Sequence, residues 1–221
     1  MDILVNAAIS VDGKLSNADR EQVAISGSSD FDRVDQIRAE RDAIMVGVGT
    51  VIADDPHLDL DDPALQQQRK QRGEQPNPIR VVADSDGRTP LDARVLDDVA
   101  ETYILTAETI NPKRKRQLEK AGATVIVAGD NKVNLPAAID ELEDHGIESM
   151  LIEGGGELLY SVFAHGLVDK LSVYIGSMII GGRDAPTLVD GEGFDEDFPK
   201  LSLETVTQID DGVLLEYTLE R

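Results

Sequence analysis

The chain has 221 residues, 41% of them apolar, and its 43 acidic against 21 basic side chains give a net charge of −22. That length allows one large domain or two small ones, an α/β domain of this size would bury a sizeable core, and no run approaches the ~18–20 apolar residues of a membrane span. The lack of cysteine excludes disulfides, thiol nucleophiles, iron–sulfur clusters and cysteine zinc sites, while three scattered histidines (His57, His145, His165) offer no metal constellation, so no metal is expected.

The acids are spread over nearly every polar segment, including ADDPHLDLDDP and DGEGFDEDFP, rather than gathered in a disordered tail. Two readings fit: a salt-adapted, halophilic enzyme surface, or an ordinary acidic mesophilic one. Either disfavours binding to nucleic acid or anionic membrane. The opening MDILVNAAIS has neither the basic flank nor the apolar stretch of a signal peptide, so a cytoplasmic protein is expected.

In chain order, ILVNAAIS (3–10) is a nearly continuous apolar run, as expected of a strand covered on both faces, and it ends at the turn pair Asp12-Gly13. A helix follows from about Ser28, with Phe31, Val34, Ile37 and Arg38 on its inward face. DAIMVGVGTVI (42–52) reads as a second buried strand entering a glycine-rich turn. The stretch 59–77, rich in Gln, Asp, Pro and Arg, reads as a surface excursion inside a single domain spanning 1–221.

Strands follow at 79–85 and 102–107, then a helix at 112–121 with proline in its first turn and Gly122 beyond its end. A strand at 123–129, a helix at 136–145 and a strand at 149–153 lead into GGGELLYSVFAHG (154–166), a helix that starts on glycines. Three closing strands, KLSVYIGSMII (170–180), LSLETVTQI (201–209) and VLLEYTLE (213–220), complete the chain, the last two as antiparallel neighbours. The strand–helix alternation predicts an α/β fold with a mostly parallel central sheet, helices on both faces and antiparallel C-terminal strands.

Three places could carry chemistry. In LIEGGGELL a buried strand delivers three glycines to a helix start, where backbone N–H groups and the helix dipole favour an anion; a tight turn without ligand reads equally well. GVGTVIADDP (47–56) has small residues at the carboxyl end of another strand, where ligands bind in open α/β sheets. VADSDGR (82–88) places Ser85 and Arg88 at a third strand end, with Arg88 either a phosphate ligand or a surface ion pair. The KRKR run (113–116) is a solvated helix face or a second contact to phosphate. Hydride transfer needs no catalytic triad or metal, only placement of donor and acceptor in a dry pocket.

Taken in this order, NAAISVDGKLS, IRAERDAIMVGVGTVIADDPHL, IRVVADSDGRTPL and LIEGGGELLYSVFAHGLVDKLSVYIGSMIIGG resemble the riboflavin-biosynthesis reductases. The resemblance is to the stand-alone archaeal type acting on 2,5-diamino-6-(ribosylamino)-4(3H)-pyrimidinone 5′-phosphate, and extends to the reductase half of the bacterial bifunctional deaminase–reductase. It implies a dihydrofolate-reductase-like fold, NADPH as hydride donor, a homodimer, and reduction of a ribosyl to a ribityl side chain. By motif it places Thr50, Asp54, Ser85, Gly154, Gly155, Gly156 and Glu157 on the cofactor. It places Arg38, Leu58 and Glu153 on the substrate, with Glu153 also serving catalysis. Asn6, Asp12 and Lys14, near the end of the first strand, serve either the substrate or the turn. The zinc deaminase half needs cysteines that this chain lacks. Where many bacterial relatives have a basic residue after the ADDP motif, Leu60, Asp61 and Asp62 stand here, which leaves substrate phosphate to Arg38 and other groups. The alternatives are a dihydrofolate-reductase-like enzyme for another pterin or pyrimidine and a non-catalytic NADP-binding protein.

Overall fold

The computed structural model describes residues 1–220. The chain folds into two compact units. One comprises residue 1 and residues 35–151, the other residues 2–34 and the chain from 152 onward. The described residues form an α/β fold with nine strands and six α-helices.

The first unit is built on four parallel strands: β2 (Ala43–Gly47), β3 (Ile79–Ala83), β4 (Thr102–Thr106) and β5 (Ala123–Val127), each paired with the next. Ile44, Val46, Val82 and Ile104 enter one buried cluster with Val51, Leu58 and Leu118, while Met45, Val81 and Leu105 are buried as well. Strands buried in this way read as unbroken apolar runs, which is why the sequence exposes them. Each such side chain contributes about 1.5–3 kcal/mol relative to exposure.

Helices α3 (Pro63–Gln71), α4 (Pro112–Lys120) and α5 (Leu135–Asp144) begin alike. Asp62, Asn111 and Asn134 accept N–H bonds from Ala64, Lys113 and Ala137, and a proline occupies each first turn. Each such cap is worth about 1 kcal/mol.

In the second unit β1 (Asp2–Ser10) runs parallel to β7 (Lys170–Gly176), which pairs antiparallel with β9 (Gly212–Leu219), itself antiparallel to β8 (Leu201–Ile209). Ile25, Tyr174 and Leu214 form its small buried cluster. Helix α6 (Gly156–Ala164) buries Leu158, Leu159, Val162 and Phe163. Strand β6 (Ser149–Gly154) begins in the first unit and ends in the second, and α1 (Ser28–Ala39) passes from the second into the first.

Four local expectations need correction. The excursion at 59–77 contains α3, because Asp62-Pro63 supplies a cap and a first-turn proline that its polar composition disguised. The strand expected at 42–52 ends at Gly47, and residues Val48–Asp54 form helix α2. The strand expected to run from β7 to residue 180 stops at Gly176. The inward face of α1 is not apolar at Phe31, which is 57% exposed; Asp30 and Asp35 are buried instead, at 2% and 7%.

Those two carboxylates are tolerated because they are hydrogen-bonded. Asp30 accepts from Arg33 Nε at 2.8 Å, and Arg33 goes on to Ser172 Oγ at 3.1 Å and Asn6 Oδ1 at 2.9 Å. Asp35 accepts from the N–H groups of Asp61 and Asp62 at 3.1 and 2.9 Å.

Candidate functional site

In the first unit, Gly47 caps α2 with extended backbone and no side-chain cap, and Thr50 lies half-buried in its first turns. Asp54 closes the helix. Its side chain is open to solvent, yet enough of the chain lies around the carboxyl that desolvation raises its pKa. Asp55 then turns left-handed (φ 43°), returns its N–H to Val51, and accepts from the Arg94 N–H at 2.9 Å.

Leu58 is also left-handed (φ 52°), and its side chain is 2% exposed within the core cluster of this unit. Its geometry is that of a core anchor for the turn. Arg38, half-buried, donates to the Asp59 carbonyl at 3.1 Å. Arg38 and Asp35, one helical turn apart on α1, therefore hold the 59–62 segment by its carbonyl and by its N–H groups. The structure brings Arg38 to the segment that carries Leu58.

Ser85 lies just past β3, half-buried, and its hydroxyl accepts from the Val133 N–H at 3.0 Å. Its neighbour Asp84 escaped the sequence reading although it organises the whole turn. Fully buried, it accepts from Arg88 N–H (2.8 Å), Thr89 N–H (2.7 Å) and Thr89 Oγ1 (2.7 Å). The signal in the sequence was an aspartate four and five residues before the N–H groups it binds, a side-chain-to-backbone turn pattern. Arg88 is exposed at the tip of that turn. From the KRKR run, Arg114 reaches back to the carbonyls of Gly87 and Thr89, so this member fastens α4 to the turn.

In the second unit, Glu153 is half-buried on β6, directly before the glycines. Gly155 caps α6 with φ 92° and ψ 101°, a conformation for which only glycine is unstrained, and no side chain caps the helix. Gly154 and Gly156 are buried, and Glu157 is exposed in the first turn. The glycine at 156 has a reason inside the chain: Asp190 and the Thr187 carbonyl occupy the space a Cβ would take. The Asp190 N–H donates to the Gly156 carbonyl at 3.1 Å, and Thr187 donates its N–H and hydroxyl to Asp190 Oδ1 at 3.0 and 2.7 Å.

The same loop meets the end of β1. Lys14 donates from Nζ to the Ala185 carbonyl at 2.9 Å, and the Leu15 N–H donates to the Pro186 carbonyl at 2.9 Å. Asp12 accepts from Ser10 Oγ and from the N–H groups of Ile180 and Gly181 at 2.6, 3.1 and 2.7 Å. The Ser10 hydroxyl first, and the Ile180 N–H next, hold its carboxyl down at about 2. One loop thus joins Asp12 and Lys14 to the glycine turn. Asn6 is not at the strand end; it lies in the middle of β1, 7% exposed, with its amide oxygen taken by Arg33.

The family model described as the RibD C-terminal domain matches residues 2–215. A 2,5-diamino-6-ribosylamino-4(3H)-pyrimidinone 5′-phosphate reductase of Archaeoglobus fulgidus is 42% identical over 210 residues, covering 95% of this chain and 94% of that protein. The protein of the same name from Methanothermobacter thermautotrophicus is 44% identical over 220 residues, covering 99% of this chain and 98% of its own length. A solved pyrimidine reductase-like protein of Corynebacterium diphtheriae shares the fold with a TM-score of 0.88 at 22% identity, over 100% of this chain and 92% of that one. With a family model matched over nearly its whole length and relatives above 40% identity end to end, the chain belongs to the RibD C-terminal domain family.

Proposed function

We propose that this oxidoreductase uses NADPH to reduce the ribosyl side chain of 2,5-diamino-6-(ribosylamino)-4(3H)-pyrimidinone 5′-phosphate to ribityl, in riboflavin biosynthesis. The observation that carries the reading is end-to-end identity above 40% with two proteins named for reduction of that pyrimidinone phosphate. Some other relatives are longer RibD proteins; the Actinobacillus pleuropneumoniae protein, for example, aligns over 56% of its length.

The residues present suit a dinucleotide. The first-turn N–H groups of α6 carry no side-chain cap, and Gly155 has the backbone that lets a phosphate approach them. In this reading Gly154, Gly155, Gly156 and Glu157 contact the cofactor, as do Thr50, Asp54 and Ser85. Exposed Arg88, a cation on a chain of net charge −22, favours the phosphate that distinguishes NADPH from NADH.

When bound, NADPH supplies a hydride to C1′ of the ring-opened imine form of the substrate. Glu153 orients the pyrimidine through its amino groups and stabilises positive charge on the nitrogen bonded to C1′. Arg38 grips the substrate phosphate. Leu58 supports the turn that carries this grip. The reading includes a cytoplasmic homodimer.

The test is to mix the purified protein with NADPH and the diamino-ribosylamino-pyrimidinone phosphate in molar KCl and follow the reduced-nicotinamide absorbance. Substrate-dependent loss of that band, a ribityl product by mass spectrometry, and slower turnover with NADH are expected. NADPH bound but not consumed would overturn the substrate; no binding of NADPH would overturn the cofactor.

A further inference from the structure

The start of α6 receives a carboxylate from the chain's own loop. Asp190 lies against Gly156, the first residue of the helix, with its Oδ2 where a Cβ would point. A Cβ on a helix leans toward the amino terminus, so this carboxylate flanks the N-terminal end of the first turn. The N-cap residue, Gly155, places no side chain there. A negative charge in that position interacts favourably with the helix dipole.

The carboxylate is held in place from both sides. Its Oδ1 accepts from the Thr187 N–H and hydroxyl, and Thr187 is joined to Lys14 in an antiparallel β-bridge. Beyond it, the Tyr160 ring of α6 packs against Gly191, and the Tyr160 hydroxyl donates to the Gly193 carbonyl at 3.0 Å. Among the described residues Asp190 Oδ2 accepts no hydrogen bond, so its charge is not spent on a donor of the chain.

We infer that Asp190 sets the affinity for the dinucleotide, as a fixed negative charge that the cofactor's diphosphate meets at the start of α6. The inference rests on the reading that the first-turn N–H groups of α6 receive that diphosphate. Two anions there repel each other and share one dipole. Thr187 and Tyr160 fasten the loop, so the carboxylate does not swing away to relieve the repulsion. Glu157, in the same turn, is exposed and screened by solvent, whereas Asp190 is half-buried and screened less. The cofactor is therefore bound less tightly and leaves sooner, which favours release of its oxidised form after each turnover.

Asp190→Asn removes the charge and keeps an oxygen for Thr187. Fluorescence titration should give an NADPH dissociation constant about tenfold below that of the native chain, with a smaller gain in molar KCl than at lower salt. Stopped-flow displacement should place most of the change in the dissociation rate. Without NADPH the variant should melt below the native chain, because α6 loses its anion; saturating NADPH should close that gap. Asp184→Asn, an equal change of net charge at an exposed position of the same loop, should leave NADPH affinity unchanged. Equal or weaker NADPH binding by Asp190→Asn, or an equal gain in Asp184→Asn, would overturn the inference and leave the cofactor reading standing. A native chain that binds no NADPH would overturn that reading and the inference with it.

Discussion

Asp190 stands where a side chain on residue 156 would begin: a Cβ added to Gly156 would lie 2.5 Å from Asp190 Oδ2 and 2.7 Å from the Thr187 carbonyl oxygen. One of these obstacles is backbone, so rotating a side chain cannot clear both. Gly156→Ala should displace the 187–190 loop and lower stability by about 1–3 kcal/mol, or about 2–12 °C in Tm for a chain of this size. Differential scanning calorimetry measures it. Asp190→Ala in the same background should restore only part of the loss, because the Thr187 carbonyl remains; full restoration would mean that the carboxylate alone demands glycine.

Asp12 makes the same loop sensitive to acid. Its folded pKa of about 2 lies below the ordinary value of 3.8, so its contribution is complete above that value and is lost as pH falls toward 2. The Tm difference between the native chain and Asp12→Asn should stay constant from pH 5 to 8 and shrink between pH 4 and 2. Amide exchange at Ile180 and Gly181 should lose protection over the same window. A difference that changes near neutrality would point to another group.

Arg80 is fully buried, and its Nη1 donates to Asp97 Oδ1 at 2.7 Å while Nε and Nη2 have no partner. Asp97→Ala would leave a buried cation without its counter-charge. Since the Asp97 side chain is 36% exposed, the cost is discounted to about 1–3 kcal/mol. Arg80→Met should cost less than Asp97→Ala, because it removes the unpaired charge with the pair. Urea denaturation of both variants tests the order, and the reverse order would show that the remaining polar atoms of Arg80 are well solvated.

Two substitutions separate positioning from chemistry in the proposed reaction. Glu153→Gln should lower kcat by more than tenfold, about 1.4 kcal/mol, with little change in NADPH affinity. Arg38→Met should act mainly on KM for the pyrimidinone phosphate. Equal kcat in Glu153→Gln and native enzyme would remove Glu153 from catalysis. An unchanged KM in Arg38→Met would leave Arg38 as a support for the 59–62 segment alone.

Much of the fold was legible because its signals are local. β2, β3 and β4 are unbroken apolar runs that only a strand buried on both faces tolerates, and Asn111-Pro112 marks the start of α4 whatever lies around it. α3 was missed because its apolar contact with the core is little more than Leu65, so periodicity failed while the Asp62-Pro63 start was present and overlooked. α1 misled in the opposite sense. Its buried positions Asp30 and Asp35 are polar, and only the partners that fill their hydrogen bonds, Arg33 and the Asp61 and Asp62 N–H groups, make that burial possible.

The candidate site divides the same way. By itself the sequence determined the order of the motifs, the glycines before α6 and the acidic, cysteine-free composition, because these are properties of neighbouring residues or of the whole chain. Tertiary structure decided that Gly156 answers to Asp190, that Asp84 shapes the turn around Ser85, and that Leu58 is held inside a core. Each of these depends on groups far apart in sequence meeting at contact distance, and hydrogen bonds and steric exclusion act only there.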